Sequence, residues 1–112
     1  MEIADINTKV HYAVIFTAKQ TKTLDGYTEA SKLLREKLKG FPGFMGIEAV
    51  ESNDGSEITV SYWENADAIR RWSLQEEHKT IRAENKEKWY TNFKVRIALI
   101  EREYSMQETL GK

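Results

Sequence analysis

Residues 44–64, FMGIEAVESNDGSEITVSYWE, decide the fold. They hold two runs rich in β-branched and aromatic residues, Phe44 to Ser52 and Ser56 to Glu64, joined by Asn53-Asp54-Gly55. Asp-Gly between such runs is a tight-turn signal, because glycine accepts the positive φ of a short connection, so the stretch predicts an antiparallel hairpin. Upstream, Gly40 and Pro42-Gly43 close a helical stretch that opens at Thr23-Leu24-Asp25-Gly26. Within it Tyr27, Ala30, Leu33, Leu34 and Leu38 recur at three- and four-residue spacing, the period of one helix face. Before that helix, VHYAVIFTA from Val10 to Ala18 reads as a strand. Downstream, Asn65 is placed to cap a helix whose apolar side carries Ala68, Ile69 and Trp72. A second helical piece follows from about Gln75 to Tyr90, and FKVRIALIEREY from Phe93 to Tyr104 is the fourth strand.

The order β-α-β-β-α-β gives an α+β fold of the ferredoxin-like kind, βαββαβ, with helices over one face of an antiparallel four-stranded sheet. One domain over residues 10–104 accounts for the pattern, with an N-terminal extension at 1–9 and a C-terminal tail at 105–112. A soluble monomer of this architecture would alternate to polar residues on the uncovered face. Here the first strand sets Val10, Tyr12, Val14 and Phe16 opposite Ala13 and Ile15. The second sets Phe44 and Val50 opposite Met45, Ile47 and Ala49, and the fourth sets Phe93, Val95, Ile97 and Leu99 opposite Ala98, Ile100 and Tyr104. Both faces ask for burial and no third layer is available, so the expectation is a homodimer packed sheet to sheet, a dimeric α/β barrel.

The 112 residues include 17 Lys+Arg and 18 Asp+Glu, for a formal net charge of −1, and no Cys. Balanced charge supplies no general field for nucleic acid or an anionic membrane. The run SEITVSYWE also lacks the basic-Gly-aromatic-Gly pattern with which ferredoxin-like RNA-binding modules stack bases. Without cysteine there is no disulfide, iron–sulfur cluster, thiolate zinc site or cysteine nucleophile. His11 and His78 stand far apart with no acid/His triad, so no metal is expected, and Gly40, Gly43 and Gly46 precede a strand rather than a helix, so no phosphate loop is read there. No run approaches the roughly 18 apolar residues of a membrane span. The start, Met1-Glu2-Ile3-Ala4-Asp5, has no basic segment leading into an apolar one, and cytoplasmic residence is the expectation.

Several pieces, taken as a set, carry a resemblance: PGFMG at 42–46, the Asp-Gly hairpin, YWENADAIRRW at 62–72, EEH at 76–78, ENKEKWY at 84–90 and VRIALIEREY at 95–104. Over roughly residues 10–104 the chain resembles the antibiotic biosynthesis monooxygenase family of dimeric α/β barrels. The resemblance implies two ferredoxin-like protomers packed sheet to sheet, each with a pocket between helices and sheet. It also implies oxygenation of phenolic or quinol-type substrates without metal, flavin or nicotinamide. One branch of the superfamily degrades haem with an Asn on the first strand, a Trp on the short helix and a His further along. Trp72 stands where that branch has its Trp, but Arg82 falls at the His position and VHYAVIFTA holds no Asn, so haem degradation is not carried over.

The candidate site lies mainly on the second helical segment. His78 is, with His11, one of two side chains whose ordinary pKa lies near neutrality. On a helix His78, Ile81, Arg82, Asn85 and Trp89 project to one side, a mixed polar and apolar face that suits a small-molecule pocket. His78 is assigned as the acid/base group and Arg82 as the cation that steadies a phenolate or superoxide-like charge. Arg82 has no acid three or four positions away to pair with. Trp72 is assigned to stack on a planar ring, with Asn85, Trp63 and Trp89 completing substrate binding. The plainer alternatives stand beside these: His78 as a helix-end histidine, Arg82 as a solvated charge, the tryptophans as core or dimer contacts. The leading reading is a cofactor-independent monooxygenase that takes a small aromatic phenol or quinol and molecular oxygen. The alternatives are a non-catalytic barrel that binds or senses a small hydrophobic molecule and a dimerisation module whose pocket is filled by its own side chains.

Overall fold

The computed structural model describes residues 3–4, 11–22, 26–75 and 89–106. Its elements follow in the order β1 (Tyr12–Gln20), α1 (Tyr27–Lys39), β2 (Phe44–Glu51), β3 (Ser56–Trp63), α2 (Ala66–Ser73) and β4 (Tyr90–Leu99). The four strands form one sheet in the order β2-β3-β1-β4 with every neighbouring pair antiparallel. This is the ferredoxin-like arrangement.

Local chemistry explains the elements. In the β2–β3 hairpin Gly55 takes φ 88°, and the Asp54 carboxylate accepts from the Ser56 amide at 2.9 Å and from the Ser52 hydroxyl. Asn65 caps α2 from an extended backbone, its Oδ1 accepting from the Ala68 amide at 2.8 Å. Ala68, Ile69 and Trp72 are the buried residues of α2, as their spacing requires. On α1 Leu38 is buried and Leu34 packs against the core, but Leu33 is 46% exposed. A helix turns about 100° per residue, so with Leu34 and Leu38 facing in, Leu33 is carried to the flank.

Two irregularities shift the faces. Between β2 and β3, Phe44 pairs with Trp63 and Gly46 with Tyr62, leaving Met45 as an extra residue. Phe44 therefore shares the helix-covered face with Ile47 and Ala49, whereas simple alternation from Val50 would have put it on the other side. Between β1 and β4, Lys19 pairs with Asn92 and Gln20 with Tyr90, so Thr91 is the extra residue. The strand thus begins at Tyr90, not Phe93, and the helical piece expected up to Tyr90 stops short of it. Its remaining stretch, 76–88, lies outside the described residues. Each bulge sits on an edge strand, where an unpaired residue costs the ladder least.

The core concentrates at one end of the sheet, where Leu38, Trp63, Ala68, Ile69 and Trp72 form a buried cluster. The 40–43 turn brings the chain under α2 there, and the Gly43 carbonyl accepts from the Glu64 amide at 2.8 Å. Gly43 has φ +92°, and a Cβ on it would stand 2.5 Å from the Ala68 Cβ. Gly40 has an ordinary φ of −103° and open space where a Cβ would go. Gly43→Ala is therefore expected to destabilise by at least about 2 kcal/mol, from left-handed backbone strain plus the overlap. Gly40→Ala should be neutral or stabilise by at most about 1 kcal/mol. Urea unfolding of both variants checks the pair, and equal midpoints would contradict it.

Candidate functional site

On the helix-covered face β1 presents Tyr12, Val14, Phe16 and Ala18, since these pair across to Trp63, Ser61, Thr59 and Glu57 on β3. The covered face of β3 is therefore polar at three of four positions. The opposite face of the same strand carries Ile58, Val60 and Tyr62, paired with Thr17, Ile15 and Ala13. This inverts the usual arrangement, in which apolar residues face the helices. The polar stripe floors a cavity of about 550 Å³ between the helices and the sheet.

The cavity has two unlike ends. At one, Trp63 is 1% exposed and Trp72 8%, and Phe41 meets both edge-on at centroid distances of 6.1 and 5.3 Å. The Trp63 indole N–H donates to Ser61 Oγ at 2.9 Å. At the other end, six strand residues or roughly 20 Å away, Tyr27 from the first turn of α1 packs edge-on against Trp89 at 5.4 Å and Tyr90 at 6.2 Å. Glu57 lies here, only 4% exposed. Its Oε1 accepts from Gln20 Nε2 at 2.9 Å and from the Tyr27 hydroxyl, and its Oε2 faces the Tyr90 hydroxyl at 3.4 Å. The Thr91 bulge makes this cluster, because without the extra residue Tyr90 would point away from Gln20 and Glu57. Burial, then the bond to the Glu57 carboxylate, raises the Tyr27 pKa, with the bond to Tyr90 opposing. Burial and the Glu57 charge push Tyr90 up much further. Both phenols hold their protons at neutral pH.

Trp63, Trp72 and Trp89 all border the cavity, the first two at the core end and Trp89 at the Glu57 end. His78, Arg82 and Asn85 lie outside the described residues. Arg35 and Arg70 stand among the lining residues, Arg70 paired to Asp67 at 2.6 Å. Among the described residues no three His, Asp or Glu side chains converge on a common point, and no helix is long and apolar enough to cross a membrane. Sequence reasoning missed Gln20, Tyr27, Glu57 and Tyr90. The signal for Glu57 was present: in SEITVSYW the polar positions 57, 59 and 61 share a face with Trp63.

Residues 12–84 match the sequence model of the family described as Antibiotic biosynthesis monooxygenase. "Uncharacterized protein YqjZ" of Bacillus subtilis (strain 168) is 37% identical over 98 residues, 88% of this chain and 86% of that protein. Among solved structures, SnoaB of Streptomyces nogalater, a cofactor-independent oxygenase, superposes in a variant form with a TM-score of 0.72 at 12% identity, over 85% of this chain and 97% of that one. Protein SO0527 of Shewanella oneidensis gives 0.71 at 11% identity, over 86% and 95%. At such identities the likeness concerns the fold.

The tyrosines give a pH test. Tyr62, on the uncovered face, is pushed up to about 12 by burial and by its bond to Glu48, and Tyr27 and Tyr90 also lie above the ordinary 10.0. Groups whose folded pKa is raised add stability that is complete below the unfolded value of 10.0 and is lost as pH climbs through the folded values. Urea midpoints should fall steeply between about pH 10 and 12, and absorbance titration should show late phenolate formation in the folded chain relative to the chain in urea. Coincident folded and unfolded titrations would refute the assignment.

Proposed function

The chain belongs to the antibiotic biosynthesis monooxygenase family, and from that premise we propose that it is a cofactor-independent monooxygenase acting on an aromatic phenol or quinol, as a cytoplasmic homodimer. The observation that carries the reading is the cavity of about 550 Å³ with aromatic walls and a polar floor, which suits a flat ring bearing a few hydrogen-bonding groups. In such a reaction the substrate supplies the electrons. Loss of a phenolic proton makes the ring electron-rich enough to pass one to dioxygen, one oxygen atom then joins carbon, and the other leaves in water. His78 is the proposed proton acceptor, Trp72 the stacking wall, and Arg82 with Asn85 the groups that steady the developing charge. Trp63 and Trp89 bound the substrate cavity at its two ends.

Oxygen-electrode assays over a panel of quinols are the test. The expected result is protein-dependent oxygen uptake with conversion of at least one quinol, and a drop of roughly 10²–10⁴-fold in turnover for His78→Ala with the melting temperature kept. Full turnover in that variant would remove His78 from the mechanism. Tight quinol binding with no oxygen uptake would favour a ligand-binding barrel instead.

Support for the homodimer comes from the inverted strand, which leaves Ile58 44% and Val50 49% exposed on the uncovered face beside Ile15 and Val60. Contiguous apolar surface of this kind marks an interface. Light scattering should give twice the 13.0 kDa protomer mass, and Ile58→Asp should shift it toward the protomer. A mass of 13.0 kDa across dilution would refute the dimer.

A further inference from the structure

Glu57 is an unexpected residue for its position. It lies on a strand paired on both sides, on the face that the helices cover, and is 4% exposed. A carboxylate taken out of water loses several kcal/mol of hydration unless hydrogen bonds replace it, and an apolar side chain would fill the same place without that demand. Among the described residues the partners of Glu57 are three uncharged donors, with no Lys or Arg opposite it. They are unevenly shared. Oε1 takes two donors, the Gln20 amide and the Tyr27 hydroxyl. Among the same residues Oε2 has only the Tyr90 hydroxyl, at 3.4 Å, well beyond the roughly 2.5–3.0 Å of a good O–H···O bond. Each carboxylate oxygen offers about two acceptor sites, so Oε2 is under-used. Glu57, Tyr27 and Tyr90 all border the cavity, and Glu57 is the one carboxylate among its described lining residues.

We propose that Glu57 Oε2 is a hydroxyl-recognition subsite, which accepts a hydrogen bond from a phenolic or enolic O–H of an uncharged aromatic ligand and holds that end of the ring in the Tyr27–Tyr90 corner. The rest of the ring then runs over Thr59 and Ser61 toward Trp63. The inference rests on the reading of the cavity as a site for phenols and narrows it to hydroxyaromatics over carboxylates. A ligand carboxylate has no proton to donate, so at this corner it would set an acceptor against the acceptor oxygen of Glu57. Tyr27 and Tyr90 keep their protons at neutral pH, so they remain donors that hold Glu57 as the acceptor.

The experiment is binding without turnover. Quenching of tryptophan fluorescence, read under nitrogen, compares 2-naphthol, its methyl ether 2-methoxynaphthalene and 2-naphthoate on the full chain. The expected result is naphthol tighter than the ether by roughly ten- to hundredfold, the range of a hydrogen bond to a charged group, and naphthoate no tighter than the ether. In Glu57→Gln the naphthol advantage should collapse while ether binding stays as in the parent chain. Equal affinities for naphthol and the ether in the parent chain, or preferred binding of naphthoate, would overturn the subsite, and neither result depends on the variant folding. Full naphthol preference retained in the Glu57→Gln variant would overturn it as well. The oxygenase reading fails separately. Naphthol discrimination without quinol oxidation keeps the subsite and removes the oxygenase, whereas quinol oxidation without discrimination does the reverse.

Discussion

The site depends on how Trp63 is held at the end of β3. Its indole is enclosed by Phe41 and Phe44 edge-on and by Trp72 at 6.4 Å, while its N–H is satisfied within the same strand by Ser61. Tryptophan contributes a large apolar area with few rotatable bonds, so a cluster of this kind fixes elements in place. Here it joins the end of α1, the 40–43 turn, β2 and α2. The approach of Gly43 to Ala68 allows α2 to come close enough for Trp72 to reach that cluster. With a packed aromatic cluster at each end, Trp63 with Trp72 and Phe41 at one and Tyr27 with Trp89 and Tyr90 at the other, the helices and sheet need not interdigitate between them, and the space there becomes a cavity rather than a packed layer.

The inverted strand follows from the same division. Glu57, Thr59 and Ser61 face the helices while Ile58, Val60 and Tyr62 face away. In a monomer packed to the usual density the first set would be desolvated and the second left in water, both unfavourable. The arrangement fits a covered face that encloses a polar-floored cavity and, under the proposed dimer, an opposite face that a second protomer would cover. Charges temper the far edge of that face, where Arg96 and Lys94 on β4 pair with Ile15 and Thr17. One strand thus links two proposals, a ligand on one side of the sheet and a second protomer on the other.

Much of this was legible because it is local. The Asp-Gly hairpin, the Asn65 cap and the buried side of α2 each follow from a few neighbouring residues whose chemistry is decisive. Faces were harder. The bulges at Met45 and Thr91 each shift the alternation by one residue, which turns Phe44 inward and brings Tyr90 into the cavity, and no composition marks an unpaired residue in an edge strand. Leu33 was drawn into the helix face by spacing alone, although Leu34 and Leu38 already define that face. The Glu57 cluster was hidden for another reason: Gln20, Tyr27, Glu57 and Tyr90 come from four separate segments, and only the fold assembles them.

The remaining wall of the cavity is made by β4, an edge strand. Val95 and Ile97 line the cavity and are 40% and 59% exposed, and Leu99 continues the strip at 66%. Apolar side chains on an edge strand are ordinarily replaced by charges, which guard the edge against stray pairing. Their presence here has a use only if something apolar lies against them for much of the time. The strip is continuous with the cavity wall, and Phe93 joins it to Phe16 and Tyr90 through ring contacts at 5.7 and 6.2 Å. An aromatic ligand anchored by its hydroxyl at Glu57 would therefore meet apolar surface along its whole edge. Orientation would come from one carboxylate oxygen, and most of the affinity from the rings and aliphatic side chains beside it.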